Sequence, residues 1–288
     1  MAATEFKRAT KFKRLGGALG ALAGLMSAAA AQAAPSVEVR HAAARVVVIP
    51  ESRRDISVSI RPGRHLPLRV SHFAGRTFVD GDVARRVRGC RTVAGKPVVN
   101  IAGLGEVTYD DLPEVVIHMP MTVKLSVGEA VFGSIGRSES LQFANAGCGD
   151  WTVANVTGRM EISQIGSGDT HTGSSGGALL RISGSGDIST KAIHGGLSAV
   201  SAGAGNIEAA SVNGPMDVRV VGPGDVRAAD GAVTLMKVSI AGAGDVEFGG
   251  VAQSLDASII GSGGIHVAKV TGPVARHLMG AGTVRVGP

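Results

Sequence analysis

From residue 141 onward, apolar and polar positions alternate in short runs, and each run is broken by a glycine turn. Take the first glycine of each turn as position zero. Six residues before it stand Leu141, Met160, Ala178, Leu197, Met216, Met236, Leu255 and Val274, all apolar. Four before it stand Phe143, Ile162, Leu180, Ala199, Val218, Val238, Ala257 and Arg276. The position between them is mostly polar: Gln142, Glu161, Leu179, Ser198, Asp217, Lys237, Asp256 and Ala275. This period of two predicts a half-buried strand. A second strand follows each turn, with Trp151, Thr170, Ile188, Ile207, Val226, Val246, Ile265 and Val284 four residues after the glycine. A looser third segment ends in an apolar residue and a glycine, as in Val156-Thr157-Gly158 and Val212-Asn213-Gly214.

The turns themselves read Gly147-Cys148-Gly149-Asp150, Gly166-Ser167-Gly168-Asp169, Gly184-Ser185-Gly186-Asp187 and Gly203-Ala204-Gly205-Asn206. They continue from Gly222, Gly242, Gly261 and Gly280, at steps of 19, 18, 19, 19, 20, 19 and 19 residues. A fixed period of this length marks a stacked repeat in which each unit packs on its neighbours. Residues of one column must lie above one another, as in a parallel β-helix with rungs about 4.8 Å apart. Parallel crossovers run right-handed as a rule, so right-handed rungs are expected. Glycine suits the corner because positive φ or close approach carries no Cβ clash there. The next residue is Asp150, Asp169, Asp187, Asn206, Asp225 or Asp245. These side chains are expected to cap the turn by bonding their own backbone.

Ahead of the array the pattern loosens. Arg45–Ile49 and Ile56–Ile60 read as strands, and Val70–Val83 as a hairpin around Gly75. Val115–Val127 reads as the first irregular rungs. Residues 34–112 are therefore expected to form a β-rich N-terminal cap, and 113–288 the β-helix. Solenoids need caps because an open end exposes unpaired strand edge. At the far end, Arg276 breaks its apolar column and is expected to blunt an open end or to dock on a partner.

Charge changes the picture at the N-terminus only. Lys7, Arg8, Lys11, Lys13 and Arg14 against Glu5 supply +4 of the +6 net charge, leaving +2 for the remainder. A nearly neutral remainder argues against a nucleic-acid partner. The basic stretch leads into an apolar run, Leu15–Ala31, and an Ala31-Gln32-Ala33 cleavage pattern. Residues 1–33 thus read as a secretory signal. No other stretch is long and apolar enough to span a membrane. Both cysteines, Cys90 and Cys148, fall in the exported part. An oxidising compartment favours one structural disulfide between them, against two separate buried thiols.

The Gly-x-Gly-Asp turns at this spacing, behind a signal peptide, resemble the bacterial family "Putative auto-transporter adhesin, head GIN domain". Gly184-Ser185-Gly186-Asp187-Ile188 is the closest match to its motif, and the resemblance covers roughly residues 114–288. It implies a β-helical fold in the bacterial envelope, in the periplasm or at the surface of a Gram-negative cell, and supplies no catalytic residues. A membrane barrel would show aromatic girdles. After Trp151 the one aromatic residue is Phe248, so self-translocation is not expected.

Candidate chemistry is thin. Stacked aspartates could hold calcium in a nine-residue β-roll, but the period here is twice that, and Gly264 and Thr283 interrupt the column. No metal or cofactor is therefore expected. Gly173-Ser174-Ser175-Gly176-Gly177 matches a nucleophile elbow formally, yet no helix pattern follows it. His171, His194 and His266 lie near turns and read as solvated. Asp217, Lys237 and Asp256 read as a charge ladder on the solvent face. The expected protein is an exported, non-catalytic structural or binding module whose partner is an envelope polysaccharide or another envelope protein. The alternative is a periplasmic carbohydrate-active protein, which would need convergent carboxylates in a groove.

Overall fold

The computed structural model describes residues 35–287. The expected signal segment, residues 1–33, lies outside the described residues. The described chain is all β, with twenty-six strands and one 3-10 turn at Tyr109–Asp111. Parallel strands stack into a β-solenoid of about nine turns with a spacing of about 19 residues. No helix among the described residues is long and apolar enough to cross a membrane.

The apolar columns stack in register. Leu141 pairs with Met160, Met160 with Ala178, Ala178 with Leu197, and Leu197 with Met216. The column runs on through Met236, Leu255 and Val274. The second face stacks Trp151, Thr170, Ile188, Ile207, Val226, Val246, Ile265 and Val284 in the same way. Alternation places these side chains inside and their neighbours outside; strand Trp151–Val153, for example, is buried, exposed, buried. One turn is filled by aromatics. Trp151 lies 4.9 Å from Phe143, packs over the bare Cα of Gly133, and donates Nε1–H to the Val131 carbonyl at 2.8 Å.

The N-terminal part differs from the expected cap. Strands Ser36–Arg40 and Ala43–Glu51 form a full turn inside the stack. On one side they pair in parallel with Arg76–Asp80 and Glu114–Pro120. On the other they pair with Thr122–Val127 and Ala130–Ile135. The turn is thus inserted out of sequence order. Val37, Val39, Val46 and Val48 are the inward residues that let it fit. True capping falls to two antiparallel strands. Ser57–Arg61 covers Glu114–Pro120, and Arg69–Phe73 forms a hairpin with Arg76–Asp80. The hairpin turns at Ala74 and Gly75, both at positive φ.

Between Asp80 and Glu114 the chain leaves the stack to form a three-stranded antiparallel sheet of Val87–Val93, Lys96–Ile101 and Gly105–Thr108. Its own small core, including Val99, Ile101 and Leu112, packs on Ala43, Ala130 and Phe132. The disulfide Cys90–Cys148, with Cα atoms 5.8 Å apart, ties this sheet to the first glycine corner. The alternative of two separate thiols is thereby overturned.

Candidate functional site

The glycine corners are built by backbone stacking on backbone. A Cβ added to Gly203 would overlap the carbonyl oxygen of Gly184 one turn away. Positive φ is not the general reason for these glycines. Among the leading corner glycines only Gly242, Gly261 and Gly280 adopt it. Close approach therefore fixes the residue type, and the N–H groups of Ser167 and Gly168 both reach the Gly147 carbonyl at 3.0 and 3.1 Å.

The aspartate column does not close its own turns. Asp150 Oδ1 accepts the backbone N–H of Asp169 at 2.9 Å, and Asp169 that of Asp187 at 2.9 Å. Asp187 accepts from Asn206, Asn206 from Asp225, Asp225 from Asp245, and Asp245 from Gly264, at 2.6–2.9 Å. Own-backbone capping is corrected to capping between turns. The next turn's amide lies directly above each side-chain oxygen because the turns stack in register. Among the described residues no group of three or more His, Cys, Asp or Glu is placed to hold a metal ion.

A second set of corner contacts lies inside. Asn145 donates Nδ2–H to the Gly149 carbonyl at 2.9 Å and accepts the Gly147 N–H at 3.1 Å. Gln164 donates to the Gly168 carbonyl and accepts the Thr170 hydroxyl at 2.9 Å. Ser201 donates to Gly205 at 3.2 Å. All three side chains are buried. The signal was present as a polar residue two places before the first glycine, an inward position that should otherwise be apolar.

The earliest corners use side chains in place of glycine. His41 and Glu129 both sit in the left-handed region, at φ 50° and 53°. The His41 amide donates to the Glu129 carboxylate at 2.7 Å. Asp80 receives Arg40 Nε–H at 2.8 Å and lies 3.0 Å from His41 Nδ1. Burial pushes the Asp80 carboxyl up, but the hydrogen bonds and charges of His41 and Arg40 outweigh it, holding the group below its usual 3.8.

Several concave surfaces are formed among the described residues, and two of them lie over the stacked turns between Ser36 and Asp217. One, of about 510 Å³, runs over the glycines at 158, 176, 177, 195 and 196, with Arg159 and Asp217 in its lining. The other, of about 540 Å³, lies where the Ala74–Gly75 turn overhangs the first face and is lined by Lys124, Gln142 and three serines among others. Ser175 belongs to neither. It is 1% exposed at the start of strand Ser175–Ile182, and its hydroxyl has no hydrogen-bond partner. A nucleophile elbow needs an exposed hydroxyl at a strand-to-helix turn, so that match is a coincidence of composition. His171 bonds Ser189 Oγ at 2.6 Å, and His266 bonds the Gly287 carbonyl at 2.9 Å. His194 is exposed on the surface. Asp217, Lys237 and Asp256 lie in one outward column, and no ion pair joins them among the described residues. Arg276 stacks on Ala257 in the last described turn and is exposed.

The model of the family described as "Putative auto-transporter adhesin, head GIN domain" matches residues 170–270. That segment runs from the Thr170–Thr172 strand to the end of the Gly264–Val270 strand, within the region of the sequence-level resemblance. No curated protein matches the chain significantly.

Proposed function

We propose that this protein is an exported, non-catalytic structural or binding module of the bacterial cell envelope, adhesion being the activity to which the family's description points. The observation that carries the proposal is the uninterrupted stack itself, part of which matches a head-domain family. A rod of paired turns presents long ladders of outward side chains and spends its interior on packing. The Cys90–Cys148 bridge supports an oxidising compartment. Residues 1–33, read as a secretory signal, supply the route.

Fractionation of cells expressing the full chain is expected to place it in the envelope or medium, shortened at its N-terminus and without titratable thiol. Recovery in the cytoplasm with residues 1–33 intact would refute export. Incubation with a panel of envelope glycans is expected to release no reducing ends. Measurable release would replace this reading with the carbohydrate-active alternative.

A further inference from the structure

The cleft beneath the Ala74–Gly75 turn has an uncompensated charge. Its floor is formed by outward side chains of strands that lie side by side: Lys124 and Ser126, then Gln142 and Ala144, then Glu161 and Ser163. With the strand that starts at Ser36, the floor spans about 14 Å at ordinary strand spacing. The carboxylates near it already have cationic partners. Glu161 is bonded by Arg181 at 2.9 Å, and Glu38, beside the rim, by Arg76 at 2.9 Å. Lys124 is half-buried, faces the neutral Gln142 across the ladder, and makes no ion pair among the described residues. A partly desolvated ammonium without a counter-charge favours an anionic ligand.

The other groups narrow the class. Ser126, Ser163 and the Gln142 amide each both donate and accept hydrogen bonds. That matches ligand hydroxyls, which do the same. An extended peptide would want an open strand edge for its own N–H and C=O groups. Here the floor lies in the middle of the sheet, paired on both sides. We propose that this cleft binds an acidic oligosaccharide, with a carboxylate at Lys124 and hydroxyls on Ser126, Gln142 and Ser163. The proposal rests on the reading of the protein as a binding module. Because the outward groups of the floor other than Ala144 are polar or charged, affinity comes from charge and hydrogen bonds and falls as salt rises.

The test is calorimetric titration of the purified exported chain with a galacturonic acid tetrasaccharide, its neutral galactose counterpart and an acidic tetrapeptide. The acidic saccharide is expected to bind, more weakly at high salt. Lys124→Gln should lower its affinity roughly tenfold or more, as expected for loss of a charged hydrogen bond. The exposed Lys191→Gln should leave it unchanged, and melting curves of both variants should match the parent. Equal binding of the neutral sugar, preference for the peptide, an unaffected Lys124→Gln variant, or no binding at all would each overturn the proposal. Reducing ends are measured in the same mixtures. Their release would refute the non-catalytic reading whether or not Lys124 matters, so the two failures are told apart.

Discussion

In the turns from Ser140 to Asn206, the inward position two residues before the leading corner glycine is Asn145, Gln164, Ile182 and Ser201. In the later turns it is Val220, Ile240 and Ile259, with the exposed Leu278 in the same column of the last described turn. Three of these four early corners thus have carbonyls bonded from inside, with Thr170 completing the network around Gln164, while Ile182 fills its corner with a methyl group. The late corners replace that network with branched aliphatics. Ile240 Cγ2 lies 3.0 Å from where a Cβ on Gly263 would stand, so the methyl fills the hollow the glycine leaves. Both halves keep the same corner, and the outward Asx ladder crosses from the early half into the late one as far as Asp245. The corner is therefore shaped by backbone stacking, and its interior can be completed by either chemistry. The early half needs every polar partner present, because a buried unsatisfied group is costly. The late half needs only volume and close packing.

The largest effect should come from the tie that belongs to the early half alone. Replacing Cys90 and Cys148 together by Ala opens a loop with a sequence separation of 58. On the loop-entropy account this costs about 4 kcal/mol. Urea unfolding of the double variant should show it, and an unchanged midpoint would mean that the early turns need no covalent support. Next, Gln164→Leu should cost about 1–3 kcal/mol by stranding the Gly168 carbonyl and the Thr170 hydroxyl. Ile240→Gln should cost a similar amount in the late half, because Val246 stands where Thr170 stands in the early half. Adding Val246→Thr should recover part of it, giving a coupling energy in a double-mutant cycle. Additive losses would break the comparison.

Smaller effects test what the halves share. Asp187→Ala removes the acceptor for the Asn206 N–H and should cost about 1 kcal/mol, with Asp245→Ala matching it in the late half. A large difference between the two would show that the ladder is not one device. The smallest effect concerns the first corners. The folded pKa of Asp80 is depressed, so its stabilisation is fully present above the ordinary value of 3.8 and fades as pH falls through the lowered one. Asp80→Asn should therefore lower the melting temperature slightly at neutral pH. The gap should close in acid, below the usual carboxylate range.

Much of this fold was legible because sequential stacking writes itself as a period. Leu141, Met160 and their successors pair as their spacing demands, and the glycine corners mark each turn. The inserted turn at Ser36–Glu51 was not legible. Its partners lie in Arg76–Asp80, Glu114–Pro120 and Thr122–Ile135. A strand that enters a stack out of order leaves no period, only the alternation of Val37, Val39, Val46 and Val48. The aspartates mark the corners in the sequence, but their bonding partners do not show there. Which amide lies nearest depends on the offset between turns, which one turn's sequence does not contain. Lys124 gave no signal either, since its meaning depends on Glu161 and Glu38 being held by arginines from other strands.

The out-of-order turn also sets a sequence of assembly. Ala43 must find Ala130, and the amide of His41 bonds a carboxylate 88 residues further on. Loop closure of that length is slow compared with adding a turn to an existing neighbour. From Ser140 onward each turn can settle as soon as the chain beyond it is free. Ser36–Glu51, by contrast, stays without a full seat until Ile135 is available. A chain passing through a narrow export channel in order would thus hold its leading strands open until the rest of the N-terminal turns had cleared the exit.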